Sequence, residues 1–246
     1  MKYLASLALL VTSLFAIGQV EAQVTAKNAN TLTLNKEIVK GVSGIVVHYY
    51  NDKHSAIVAT VVAIGGNKVQ IVDANYVQNP KLPDIATPVS IGDKVVMGYL
   101  YNRSLLIAPN QATYDDVTSI YPTIDFVNPD LLAFSMMREG LDMPTKKSIQ
   151  EYCNQNAIGL VYIVTADMGY FIDVNSFQIL SVEPVDSSGD RMLPFFMRLE
   201  RIDGGVAGLF ESLYEKVRDD ILGRDDTLEG DYDRYYLHIM GSGDAK

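Results

Sequence analysis

Between about Leu32 and Ala108 the chain runs through segments rich in Val, Ile and Tyr, broken at short intervals by turn formers. This pattern constrains the fold more than any other. The segments are "LTLNKEIV", "SGIVVHYY", "SAIVATVVAI", "NKVQIVDA" and "DKVVMGYLY". β-Branched and aromatic side chains suit a pleated, half-buried surface. Asn51-Asp52, Gly65-Gly66-Asn67 and Gly92-Asp93 supply the backbone freedom that turns need. Short strands at this spacing predict a small barrel or sandwich. "NPKLPDIATP" carries three prolines and reads as a loop.

After "LLIAPNQ" the texture changes to alternating helix and strand. "NQATYDDVTSIYP" sets Tyr114, Val117 and Tyr121 on one helical face, and "TIDFV" reads as a short strand. "NPDLLAFSMMREG" combines a capping Asn128, Pro129 in the first turn, Asp130 at the positive end of the dipole and Gly140 as a stop. Its apolar residues surround the helix, which predicts burial on all sides. "GLVYIVT", "GYFIDV" and "FQILSVEPV" read as a strand meander, and "LPFFMRLERI" as a further strand. "GLFESLYEKVRDDIL" is an amphipathic helix with Leu209, Phe210, Leu213, Tyr214, Val217 and Ile221 along one face. The expected class is α+β: a β-rich small barrel or sandwich subdomain over residues 23–108, an α/β-type subdomain over 109–222, and an acidic tail over 223–246 that ends in lysine.

The first 22 residues read as a leader. "MKYLASLALLVTSLFAIGQVEAQ" places Lys2 before an apolar run from Tyr3 to Ile17, and Val20-Glu21-Ala22 fits the small-x-small cleavage rule. The run is shorter than the ~20 apolar residues of a membrane span. Cleavage after Ala22 and export to the periplasm, outer membrane or cell surface are therefore expected, with no membrane span in what remains.

The formal charge is -10, and eleven acids against five bases fall between Ile202 and Lys246. Nucleic acid and anionic lipid are poor partners for such a chain. The single cysteine, Cys153, shares a helical face with Ile149, Tyr152 and Ala157 in "TKKSIQEYCNQNAIG" and reads as core. His48 and His54 flank a turn in "HYYNDKHS"; a hairpin turn at Asn51-Asp52 would pair Tyr50 with Lys53 and Tyr49 with His54. The two histidines and Asp52 could then approach one ion, but a structural zinc site usually takes four ligands, and no metal is assigned. The tail "DDTLEGDYD" resembles a calcium loop at Asp225 and Gly230, yet Thr227 and Tyr236 stand where acids are needed. G-x-S-x-G, a phosphate-binding glycine loop, H-E-x-x-H and Ser-x-x-Lys at a helix start do not occur. No catalytic residue and no cofactor are assigned.

The blocks "GVSGIVVHYYNDKHSAIVA", "YLYNRSLLIAPNQATY", "FVNPDLLA" and "YCNQNAIGLVYIVTADMGYFIDVNSFQIL" together resemble the N-terminal domain of the plasminogen-binding protein A family of epsilon-class proteobacteria. The resemblance spans about Val42 to Val182. It implies an exported or surface protein that captures host plasminogen without catalysis, and relatives with a longer charged C-terminal region. Plasminogen is recruited through kringle modules, whose cradle takes a zwitterion: acids meet the ammonium, cations meet the carboxylate, and aromatic rings hold the stem. Lys246, behind the flexible "GSGDA", offers an ammonium and a carboxylate on one residue and is the expected partner-binding residue. The alternative is a periplasmic or envelope scaffold whose partner is another envelope protein.

Overall fold

The computed structural model describes residues 18–72, 87–141, 143–198 and 231–241. Six strands close a barrel: β1 (Val20–Asn28), β2 (Thr31–Leu34), β3 (Ser43–Asn51), β4 (His54–Gly65), β5 (Lys68–Val72) and β6 (Lys94–Met97), in the order β1-β2-β5-β4-β3-β6. Every pairing round it is antiparallel. Closure leaves no unpaired edge, the feature that most exposes a sheet to aggregation.

Alternation decides which side chains fill it. Ala22 and Val24 of β1, Leu32 and Leu34 of β2, and Val61 and Ala63 of β4 are buried at a period of two. At Gly44 a Cβ would stand 2.5 Å from the carbonyl oxygen of Val96 and 2.8 Å from the Cα of Met97, so β3 and β6 approach too closely for any side chain there. One strand was not expected: β1 begins at Val20 and takes in Val20, Glu21 and Ala22, which the sequence presents as the end of a leader.

The β3–β4 hairpin turns one residue later than the sequence suggests. Asn51 pairs with His54 and Tyr49 with Ser55, so Asp52 and Lys53 form the turn. The cause is local: Asn51 Oδ1 accepts from the backbone N–H of Lys53 at 2.9 Å and meets His54 Nδ1 at 3.0 Å. An Asn side chain that mimics a backbone turn in this way sets the turn just after itself.

The second sheet has the order β11-β10-β9-β7-β8, from β7 (Arg103–Ile107), β8 (Asp125–Val127), β9 (Leu160–Thr165), β10 (Met168–Asp173) and β11 (Ile179–Pro184). The expected meander is present as β9, β10 and β11. Ala166 and Asp167, at φ 50° and 57°, form the two-residue turn between the first two, with the left-handed pair that such hairpins require. β7 lies in the strand-rich N-terminal run but belongs to this sheet.

Four helices are described: α1 (Gln111–Ile120), α2 (Pro129–Glu139), α3 (Lys146–Gln155) and α4 (Tyr232–Ile239). Asn110 caps α1 by accepting from Thr113 N–H at 2.9 Å, and Asn128 caps α2 by accepting from Asp130 N–H at 2.9 Å. Gly140 ends α2 in the left-handed conformation. α2 is not buried on all sides: Leu132, Ala133 and Met136 are covered, whereas Leu131 and Phe134 are 54% and 62% exposed. In α3, Ile149, Tyr152 and Cys153 are buried as the periodicity requires, but Ala157 lies beyond the helix at φ 53° and is exposed. Ile158 takes its place in the core, its N–H donating to the Cys153 carbonyl at 2.9 Å.

The described part of "LPFFMRLERI" is not a strand. Phe195 and Phe196 are both buried, which a strand with one covered face does not allow, and Pro194 has no N–H to give to a ladder. The amphipathic segment from Gly208 to Leu222 lies outside the described residues.

The described residues up to Arg103, with Cys153–Leu160 and Phe171–Ser181, form one compact unit. Ser104–Tyr152, Val161–Tyr170 and those from Val182 onward form a second.

Candidate functional site

In the first unit the most concentrated polar chemistry surrounds Asp173, the last residue of β10, which is fully buried. Its Oδ2 accepts from Ser43 N–H at 3.0 Å, Ser43 Oγ at 2.5 Å and the Tyr101 hydroxyl at 2.7 Å. Its Oδ1 accepts from Ser176 N–H at 2.6 Å, and Asn175 Nδ2 donates to Ser43 Oγ at 3.1 Å. Four donors on one carboxylate satisfy a group that would otherwise cost several kcal/mol to bury. Burial, then the charge of Asp173, pushes the Tyr101 hydroxyl well above its ordinary value, so it remains a donor. Both oxygens accept hydrogen bonds, and the group acts as a clasp that ties Ser43, Tyr101 and Ser176 to the end of β10. The sequence carried a signal for it: in "GYFIDV" one acid stands among Phe171, Ile172 and Val174.

The histidines are held apart by separate partners. His48 Nδ1 meets Asp93 Oδ1 at 2.8 Å, and Asp93 Oδ2 accepts from Ser90 N–H at 2.7 Å. His54 is exposed and engages Asn51. No group of three metal-ligating side chains occurs among the described residues. Cys153 is fully buried, and burial raises its thiol far above the range in which a thiolate forms at neutral pH.

The second unit holds two more carboxylate nodes. Glu183 Oε1 accepts from both Tyr121 and Tyr162, the latter at 2.5 Å. Burial first, then these bonds, raises both phenols. Asp233 Oδ1 accepts from Ala166 N–H at 2.8 Å and Thr165 Oγ1 at 2.9 Å, while Arg191 Nη2 and Nε reach Oδ2, each at 2.8 Å. Partial burial raises the Asp233 carboxyl, but the bonds from Ala166, Arg191 and Thr165 outweigh it and hold it below the usual value. A depression of about 440 Å³ in the same unit is lined by Tyr114, Thr118, Pro122, Ile124, Asp125 and Phe126, among others.

For a partner that reads an ammonium beside a carboxylate, the pairs at Lys94 and Lys147 are candidates. Lys94 Nζ stands 2.7 Å from Glu21, with the lysine one-third exposed. Lys147 Nζ stands 3.7 Å from Glu151, one turn along α3, and the lysine is 83% exposed. Lys246, the residue expected to carry partner binding, lies outside the described residues, as do Asp225, Thr227 and Gly230 of the acidic tail. Tyr236 is described: it is fully buried in α4 and donates its hydroxyl to the Pro194 carbonyl at 2.6 Å.

Residues 19–240 match the family described as plasminogen-binding protein pgbA N-terminal. The chain belongs to this family. It is 30% identical over 173 residues to the plasminogen-binding protein PgbA of Helicobacter pylori strain J99, and equally to that of strain 26695. The alignment takes in 68% of this chain and 38% of each relative, so well under half the length of those relatives is represented. No solved structure matches the chain. No helix among the described residues is long and apolar enough to cross a membrane.

Proposed function

We propose that the chain is an exported, non-catalytic binding protein that captures plasminogen through kringle modules, with Lys246 as the ligand they take. The family match over residues 19–240 carries the plasminogen part of this reading, since the relatives are named for that binding activity. The chemistry would suit a lysine with a free carboxylate: an ammonium over aromatic faces gains cation–π attraction, and a zwitterion on one residue offers both charges to paired acids and cations. The internal pairs are weaker ligands on the same criteria. Lys94 is engaged by Glu21 and two-thirds covered, and Lys147 must borrow the carboxylate of Glu151 across a helical turn.

The test is capture on immobilised plasminogen of a chain ending at Lys246 and of one ending at Ala245. Saturable binding lost with the lysine, competed by lysine analogues and weakened by salt, supports the reading, because exposed charge pairing is screened. Equal binding by both versions removes Lys246 as the ligand.

A second reading is an envelope scaffold whose partner is another envelope protein. The 38% coverage of the relatives favours it, because most of their length lies outside the matched region and could hold the plasminogen ligand. Absence of binding by either version would support it. Treatment of intact cells with protease then separates the two locations, since only a surface-exposed protein is lost.

A further inference from the structure

We infer that the leader is removed between Gly18 and Gln19, so that Gln19 is the mature N-terminus and β1 enters the barrel whole. The inference rests on the export reading above. It fixes a processing site four residues before the Ala22–Gln23 bond that the small-x-small rule first suggests.

Barrel closure carries the argument. β1 meets β6 through Val20↔Met97, Glu21↔Val96, Ala22↔Val95 and Gln23↔Lys94. Three of these four pairs precede the Ala22–Gln23 bond. Cleavage there would leave one of the four pairs, Gln23 with Lys94, and the two backbone bonds of Val24 to Gly92 and Asp93, and would expose the rest of the β6 edge that β1 covers. It would also remove Ala22, which is 4% exposed and faces the barrel core, and Glu21, whose carboxylate lies 2.7 Å from Lys94 Nζ. A six-stranded barrel cannot lose one seam without becoming an open sheet.

The bond before Gln19 has none of these costs. Gly18 and Gln19 are exposed and precede the first strand residue. Ala16-Ile17-Gly18 satisfies the same small-x-small rule, with Ala16 and Gly18 at the small positions. The apolar run before it keeps a length suited to a leader. The family match begins at residue 19, the first residue after this bond.

The experiment is to express the full 246-residue chain in a bacterium with general secretion and to read the N-terminus of the exported protein by intact mass and terminal peptide sequencing. A protein that starts at Gln19 is expected. Both candidate ends begin with glutamine and both can cyclise, so the mass of Gln19–Ala22 distinguishes them. A start at Gln23 overturns the inference and leaves export standing; a start at Met1 overturns both. A second measurement compares chains made to begin at Gln19 and at Gln23. The longer chain is expected to unfold cooperatively at the higher denaturant midpoint, and equal midpoints would overturn the argument from closure.

Discussion

Replacing Asp173 by Ala tests whether the clasp holds the first unit together. The change removes an acceptor for Ser43 N–H, Ser43 Oγ, the Tyr101 hydroxyl and Ser176 N–H. Ser43 and Tyr101 retain a contact of 3.3 Å with each other, which recovers part of one bond. Each buried donor left unsatisfied costs about 1–3 kcal/mol, and the charge that strengthened these bonds is lost with them. A total of about 3–5 kcal/mol is expected, a large fraction of the 5–15 kcal/mol typical of a folded protein. Asp173→Asn should cost less, about 2–3 kcal/mol, because its amide oxygen can face the three donors at the Oδ2 position while its NH₂ opposes Ser176 N–H. Urea unfolding followed by circular dichroism measures both, read as a shift in midpoint at constant slope. If Asp173→Ala lies within about 0.5 kcal/mol of the parent, the size of an ordinary surface substitution, the clasp argument is wrong.

Stability should fall at alkaline pH. Burial is the first cause raising Tyr101, Tyr121, Tyr162, Tyr232, Tyr235 and Tyr236, with Tyr235 pushed up to about 12. The unfolded chain loses these protons near pH 10 while the native protein keeps them, so stability is complete below about pH 10 and declines above it. A denaturation midpoint unchanged between about pH 8 and pH 11 would contradict this. Asp233 gives the opposite sign: its lowered carboxyl contributes stability above about pH 4 that is lost as acid protonates it, and Asp233→Asn should flatten that part of the acid limb in thermal melts. Gly169→Ala would set a Cβ 2.0 Å from the Tyr162 hydroxyl and 2.9 Å from Val185 Cγ2, and overpacking of this kind costs about 1–3 kcal/mol, visible as a lower melting midpoint. Lys147→Ala should leave plasminogen capture unchanged; a loss as large as that on removing Lys246 would move the ligand to α3.

The barrel was legible because its signal is local and repeated. Alternating Val and Ile with turn residues between them give five of its strands, and β-branched side chains report a pleated surface whatever their partners. β1 was not legible for a specific reason: Val20-Glu21-Ala22 satisfies a cleavage rule and a strand pattern at once, and only pairing with β6 favours the second. The single-residue error in the β3–β4 turn has a similar origin. Asn51-Asp52 and Asp52-Lys53 are both acceptable turn pairs, and the side-chain bond from Asn51 to Lys53 N–H decides between them. "LPFFMRLERI" misled because hydrophobicity does not reveal direction: Phe195 and Phe196 are adjacent and both buried, which needs an irregular backbone that composition alone does not announce.

Functional residues are harder to read because their partners lie far apart in the chain. Asp173 and Ser43 are 130 positions apart, and Thr165 and Asp233 are 68 apart, so no window of sequence contains either pair. An acid in a buried strand is a warning that donors must converge on it, but their identity depends on the fold. The same logic applies in reverse to Lys246. As the proposed ligand, a lysine that offers both charges on one residue would need no partner within the chain, so its signal in the sequence is its chemistry. The folded units and the lysine therefore make separable claims. Asp173→Ala should lower stability without altering capture by the molecules that remain folded, whereas removing Lys246 should abolish capture without moving the denaturation midpoint. A variant that changes both together would show that the plasminogen ligand belongs to the folded surface.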